Sequence, residues 1–143
     1  LGRPALPPAR LRAGGPAPGA DGVAVPVRHD GAGTQLANLR LADGALSVSG
    51  GAATGFDDGK QRLGHVLDPR RGEPVLAGDL AWVLAPSAAD ADALSTALLV
   101  SGLDLPRQPG ARGAYVAAED VPDGVDGVRL WPAQQAMASA ARP

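Results

Sequence analysis

The feature that most constrains the fold is residues 88–100, which contain no glycine or proline in a 143-residue chain that has 20 glycines and 14 prolines. These residues are rich in alanine and leucine, which are strong helix formers. Ser87 is suited to cap the N-terminus of a helix, and Asp90 follows three residues later, as in a capping box. Gly102 is a natural stop signal. The sequence therefore predicts a helix over residues 87–101.

Short apolar segments before and after this helix predict β-strands. In the first of them Val23, Val25 and Val27 occupy alternate positions, and Pro26 restricts that strand to a sheet edge. The other predicted strands cover residues 45–48, 62–67, 80–84, 114–117 and 128–131. A hairpin-like turn is predicted at 42–44, after Leu36, Leu39 and Leu41, and a further turn at 55–60. Strands that surround one or two helices without regular alternation indicate the α+β class, with a mainly antiparallel sheet.

The two ends of the chain differ from this central part. Residues 1–20 are rich in proline and glycine, which predicts an irregular arm, and residues 21–143 are predicted to form one domain. Proline suits the first turn of a helix, so a last helix is predicted from Pro132 through Ala141. The chain starts with Leu1 rather than methionine, so we expect its N-terminus to lie further upstream.

Composition limits the classes of function. The net charge of −2 lacks the basic footprint of a nucleic-acid-binding protein. No apolar run reaches the ~20 residues of a membrane span. The absence of cysteine excludes disulfides, thiolate catalysis and zinc-finger sites, and leaves the compartment open.

Asp92 and Thr96 are the first candidates for chemistry. They are four residues apart on the predicted helix and therefore lie on one face, with Ser95 nearby. A carboxylate and a hydroxyl form a partial all-oxygen site of the kind that binds Mg²⁺, which completes its shell with water and phosphate oxygens. The alternative interpretation is a solvated polar stripe.

His65 and two glycine-containing segments are further candidates. His65 lies on a predicted strand and could act as an acid, a base or a phosphate contact, or be purely structural. The loop at residues 49–51, Ser-Gly-Gly, could bring backbone N–H groups to an anion, or form a simple tight turn. Arg70 and Arg71 could hold phosphate, because guanidinium groups match phosphate oxygens, although exposed arginines usually do not.

Three ordered segments resemble the C-terminal half of the ApbE family, the FAD:protein FMN transferases. These segments are ALSVSG at 45–50, HVLDPRRGEP at 65–74 and ADALSTAL at 91–98. The family pattern has a Thr-Ser-Gly loop, then His-x-x-Asp-Pro-x-Thr-Gly-x-Pro, then Ala-Asp-Ala-Leu-x-Thr-Ala-Leu. The resemblance extends from residue ~20 to residue ~131 and is most specific in the second and third segments.

The resemblance implies half of an ApbE-like fold and a Mg²⁺-dependent reaction. In that reaction FAD is the substrate, FMN is transferred to a threonine hydroxyl of an acceptor flavoprotein, and AMP is released. His65 matches the family histidine implicated in catalysis near the flavin phosphates. Asp92 and Thr96 match the metal ligands. Ser49 and Val66, together with His65, fall in segments that line the flavin-nucleotide site.

The chain also departs from the family pattern. Val48 stands where the family has threonine, Gly51 where it usually has aspartate, and Arg71 where it has threonine. Family members are roughly twice as long, so the chain is expected to be a fragment or a reduced homologue that needs an N-terminal half. The alternative function is a catalytically degenerate flavin-binding or structural module. Extracytoplasmic or membrane-anchored family members exist, so the resemblance leaves the location open.

Overall fold

A computed structural model of the chain describes residues 23–29, 33–41, 44–51 and 54–132. The predicted arm at residues 1–20 lies outside the described residues. So do all positions of the predicted last helix after Pro132.

The chain forms nine strands and one α-helix in three antiparallel groups within the described residues. The first group is a hairpin, β1 (Val23–Arg28) with β2 (Gln35–Leu41). The second is a four-stranded sheet, in the order β3 (Ala45–Gly50), β7 (Leu80–Ala85), β8 (Arg112–Val116) and β9 (Arg129–Trp131). The third contains β4 (Phe56–Asp57), β5 (Arg62–Asp68) and β6 (Glu73–Leu76). With α1 (Ala88–Ser101), this arrangement confirms the predicted α+β class and its antiparallel pairing.

The central strand β7 is buried along its whole length, which explains its continuous apolar sequence. Successive side chains point to opposite faces of a sheet. Trp82 accordingly packs with the β1–β2 hairpin residues Leu36 and Leu39. Its neighbours Ala81 and Val83 belong to a second core cluster, which also contains α1 residues. The four-stranded sheet therefore has the hairpin on one face and α1 on the other.

Helix α1 has the capping predicted from the sequence. The backbone N–H of Asp90 donates to Ser87 Oγ at 3.1 Å, and Ser87 Oγ donates to Asp90 Oδ2 at 2.7 Å. Gly102 follows the last helical residue with φ of 58°, a left-handed value that glycine adopts without the strain of a Cβ atom. The predicted helix over residues 87–101 is confirmed, with Ser87 as its cap.

Three regions differ from the sequence prediction. The predicted hairpin at 42–44 is wrong, because β2 pairs with β1 and β3 pairs with β7; residues 42 and 43 themselves lie outside the described residues. The segment 55–60, predicted as a turn, contains the two-residue strand β4. Strand β6 was not predicted, because Pro74 is typical of a turn. β6 lies at the edge of its sheet, where a proline is tolerated.

A 3-10 segment, Ala118–Gly127, connects β8 to β9. Among the described residues, no helix combines the length and the apolar character that a membrane crossing requires.

Candidate functional site

A cluster of polar side chains lies where β3, an edge strand, packs against α1. The Ser49 hydroxyl is 2.7 Å from the Ser95 hydroxyl and 3.2 Å from the Thr96 hydroxyl. The Ser47 hydroxyl donates to Asp92 Oδ1 at 3.3 Å and is 3.1 Å from the Ser95 hydroxyl. We call these five residues the hydroxyl cluster. It joins Ser49, Asp92 and Thr96, three of the predicted site residues.

The periods of the strand and the helix explain why these side chains meet. Ser47 and Ser49 are two residues apart, so they point to one face of β3, as does Ala45, which packs into the core cluster that contains α1. Val48 points to the opposite face and is exposed. The three helix members have i, i+3 and i+4 spacing and share one side of α1.

Ser95 is the buried centre of the hydroxyl cluster, with no exposed surface. Its hydroxyl is 3.0 Å from the backbone carbonyl oxygen of Asp92, one turn earlier in α1. A hydroxyl has one hydrogen and two lone pairs, so Ser95 donates to one neighbour and accepts from others. The Ser95 hydroxyl therefore links β3 to α1, because it contacts the hydroxyls of both Ser47 and Ser49.

Asp92 and Thr96 lie at the exposed rim of the hydroxyl cluster. A carboxylate and neutral hydroxyl oxygens are hard donors, which suit Mg²⁺. In the part of the chain that the structure describes, no group of three or more histidine, aspartate and glutamate side chains could hold a metal ion. One carboxylate and one hydroxyl fit Mg²⁺ only where water and phosphate oxygens complete its shell.

His65 lies outside the hydroxyl cluster, on β5 of the three-stranded sheet, with an exposed side chain. Its Nδ1 atom is 2.5 Å from Thr54 Oγ1. Nδ1 is therefore engaged within the protein.

Close backbone packing at Gly51 brings β5 next to the end of β3. A Cβ atom placed on Gly51 would lie 2.8 Å from Gly64 Cα, closer than real Cβ contacts, and 3.0 Å from Ala77 Cα, which is tighter than most of them. Gly51 comes two residues after Ser49, and Gly64 immediately precedes His65. The absence of a side chain at position 51 therefore allows the segment with the histidine to approach the segment with the serines.

Val66 has a different environment from its neighbour His65. Its side chain is partly buried and packs against the core cluster that includes Ala91 and Leu98 of α1. Adjacent residues of a strand point to opposite faces, so Val66 faces the core while His65 faces outward. A contact between Val66 and a nucleotide would therefore involve its backbone.

The turn after β5 is held by an ion pair. Arg70 Nε and Nη2 donate to the two carboxylate oxygens of the buried Asp68, each at 2.9 Å, and Nη2 also donates to the Val100 carbonyl at 3.1 Å. Hydrogen bonds from Arg70 lower the pKa of Asp68. Arg71 Nη2 lies 3.4 Å from Glu73. Both arginines considered for phosphate binding thus have carboxylate partners, and Arg70 connects the turn to the end of α1.

A separate cleft of about 840 Å³ lies between the β5–β6 turn and the C-terminal end of α1. One of its lining residues is Asp79, whose carboxylate accepts from the Tyr115 hydroxyl and the Ala118 N–H, each at 3.0 Å. Burial raises the pKa of both Asp79 and Tyr115. The residues that line this cleft include neither His65 nor any member of the hydroxyl cluster. Arg70 and Arg71 do line it, so the cleft and the hydroxyl cluster contain different candidates from the sequence.

Two polar residues of this region were not singled out from the sequence. Ser47 contacts Asp92, and its alternation with Ser49 was the available signal. Thr54 contacts His65, but only the register between β4 and β5 reveals that pairing.

Comparison with known proteins identifies a family. No curated protein matches the chain. The family model described as the ApbE family matches residues 9–109, more than half of the chain. The matched range includes the hydroxyl cluster, Thr54, His65 and Val66. The chain belongs to the ApbE family.

Proposed function

We propose that this chain carries part of the active site of a Mg²⁺-dependent FAD:protein FMN transferase. Such an enzyme moves FMN from FAD to a threonine hydroxyl of an acceptor flavoprotein and releases AMP. The observation that carries the proposal is the 3.2 Å contact between Ser49 and Thr96, beside Asp92. These residues come from two segments, 45–50 and 91–98, which resemble separate motifs of the family. Their meeting in space supports a shared site over an unrelated polar stripe.

Asp92 and Thr96 are the proposed Mg²⁺ ligands. Asp92 supplies negative charge and Thr96 a neutral oxygen, while Ser47 orients the Asp92 carboxylate and Ser49 the Thr96 hydroxyl through hydrogen bonds. Mg²⁺, when bound, neutralises charge on the pyrophosphate of FAD and on the departing AMP. Ser49 lies beside Thr96 and is proposed to contact the nucleotide, together with the backbone of Val66.

His65 is the proposed general base. The acceptor threonine oxygen forms a bond to the phosphorus of the FMN phosphate, and His65 takes the hydroxyl proton. The bond between that phosphorus and the bridging oxygen breaks, and AMP leaves with the bridging oxygen. The exposed position of His65 supports this role, because the acceptor is itself a protein and must reach the ring.

The first experiment measures quenching of FAD fluorescence by the chain, with and without Mg²⁺. We expect Mg²⁺-dependent quenching that Asp92→Asn abolishes. Asp90→Asn is the matched control, since Asp90 is an exposed carboxylate on the same helix that bonds to the cap residue Ser87 rather than to the hydroxyl cluster. His65→Asn should leave the quenching largely unchanged.

The second experiment measures covalent flavin on a threonine-containing acceptor flavoprotein, and AMP in solution. His65→Asn should lower the transfer rate at least about a hundredfold, the usual contribution of a general base. FAD binding without transfer, even when the N-terminal half of an ApbE-family protein is added to the chain, would favour the alternative, a catalytically degenerate flavin-binding module. Quenching that is independent of Mg²⁺ or unaffected by Asp92→Asn would refute the metal-site assignment.

A further inference from the structure

We propose that Thr54 is a positioning residue for His65. In this proposal Thr54 Oγ1 accepts a hydrogen bond from Nδ1–H of His65, which leaves the lone pair on Nε2 free to take the acceptor proton. The inference rests on the proposed function, because it assigns a reason for the geometry of the proposed base. Thr54 lies outside the three segments that resemble family motifs and was not a candidate from the sequence.

Strand register brings Thr54 opposite His65. Phe56 of β4 pairs with Leu63 of β5 in antiparallel register. Thr54 is two residues before Phe56 and His65 is two residues after Leu63, so the continued register makes them opposite neighbours. Residues two apart on a strand share a face, and directly opposite residues on one face are in contact range.

The segment that carries Thr54 is held closely against β5. A Cβ atom on Gly55 would lie 2.7 Å from the Leu63 carbonyl oxygen and 2.8 Å from Ala77 Cβ. The backbone at Gly55 therefore has no room for a side chain. This packing limits the movement of Thr54 relative to β5 and supports its short contact of 2.5 Å with His65 Nδ1.

The proposed role of His65 as a base assigns the direction of this hydrogen bond. A neutral histidine carries hydrogen on one ring nitrogen and a lone pair on the other. A base that acts through Nε2 needs the hydrogen on Nδ1, and the Thr54 hydroxyl can accept it. His29 provides a contrast, because its Nε2 lies 3.1 Å from the Gly78 carbonyl oxygen, which only accepts. His29 must therefore carry its hydrogen on Nε2, so the two histidines of the chain have opposite tautomers.

Nuclear magnetic resonance of the ¹⁵N-labelled chain tests this directly, without FAD or Mg²⁺. Long-range ¹H–¹⁵N spectra at alkaline pH, where an imidazole is neutral, distinguish the two tautomers. We expect Nδ1–H for His65 and Nε2–H for His29. Thr54→Val should move His65 towards Nε2–H, and Thr54→Ser should restore Nδ1–H. Thr34→Val, a control threonine away from β5, should leave the His65 ring unchanged. A wild-type His65 with Nε2–H, or a tautomer unchanged in Thr54→Val, would overturn the proposal.

Transfer kinetics separate this inference from the proposed function. Thr54→Val should lower kcat about ten- to a hundredfold, as expected for a misplaced catalytic group, with little change in KM for FAD. Thr54→Ser should recover most of the rate and the wild-type pH profile. Undiminished transfer in Thr54→Val would refute the positioning role alone. Absence of Mg²⁺-dependent FAD binding by the wild-type chain would instead refute the proposed function, and the positioning role with it.

Discussion

Position 51 provides a sharp test of the packing between β3 and β5. The family usually has aspartate there, so Gly51→Asp restores the common residue. The structure nevertheless predicts that this change destabilises the chain. The added Cβ atom would be 2.8 Å from Gly64 Cα and 3.0 Å from Ala77 Cα, and these are backbone atoms that cannot rotate away.

The size of the effect follows from two opposing contributions. Overpacking of a buried position costs about 1–3 kcal/mol. Replacing glycine by a residue with a Cβ atom recovers about 0.4–1 kcal/mol from the unfolded chain, since Gly51 does not have a positive φ. Gly51→Ala should therefore lower the free energy of unfolding by about 1 kcal/mol. Gly51→Asp should lower it by at least about 2 kcal/mol, because a carboxylate is also moved into a buried position.

Urea unfolding followed by tryptophan fluorescence is a suitable assay, since both tryptophans, Trp82 and Trp131, are buried and report on the core. Val48→Thr is the matched control. It restores another family residue three positions earlier, at a site that is 47% exposed, so its effect should stay within about 0.5 kcal/mol. A Gly51→Asp chain as stable as the wild type would refute the close approach of Gly51 to β5.

Three further changes give distinct outcomes in the same unfolding assay. Leu98→Ala removes a fully buried side chain between α1 and the sheet and should cost about 2–5 kcal/mol, so a loss below about 1 kcal/mol would contradict this packing. The pKa of Asp68 is lowered by Arg70, so the pair stabilises the folded chain above the ordinary carboxyl pKa of 3.8, and this stability is lost as the pH falls through the lowered value. The loss in the free energy of unfolding caused by Asp68→Asn should therefore be largest at neutral pH and become smaller in acid. The pKa of Asp79 is raised by burial, so its contribution to stability decreases as the pH rises from 3.8 through the raised value. The stability of Asp79→Asn relative to the wild type should therefore be higher at neutral pH than in acid. A difference in the free energy of unfolding that stays constant across this pH range would contradict the raised pKa of Asp79.

Local sequence was sufficient for the elements with short-range causes. The helix over residues 87–101 was predictable because its cap, its helix-forming residues and its glycine stop are all adjacent in the chain. β7 was predictable from its continuous apolar run. β6 was missed because the tolerance of an edge strand for Pro74 depends on which strands lie beside it.

In the candidate site, too, local spacing was predictable from the sequence and contacts between distant segments were not. Helical spacing alone placed Asp92 and Thr96 on one face, and the resemblance to a family suggested their role. The sequence did not indicate that Ser47 donates to Asp92 or that Arg70 holds the buried Asp68. These contacts depend on how a strand packs against a helix and how a turn packs against the helix end.

The amino-acid sequence by itself determined the α+β class, the helix with both of its ends, and the family segments, because each depends on residues near one another in the chain. Only the tertiary structure decided that Thr54 faces His65 and that Gly51 lies against Gly64. Strand register and backbone approach are set by the packing of distant segments, and the period of a strand specifies which face a residue occupies without specifying its partner. The surroundings of the proposed base are therefore a property of the folded chain.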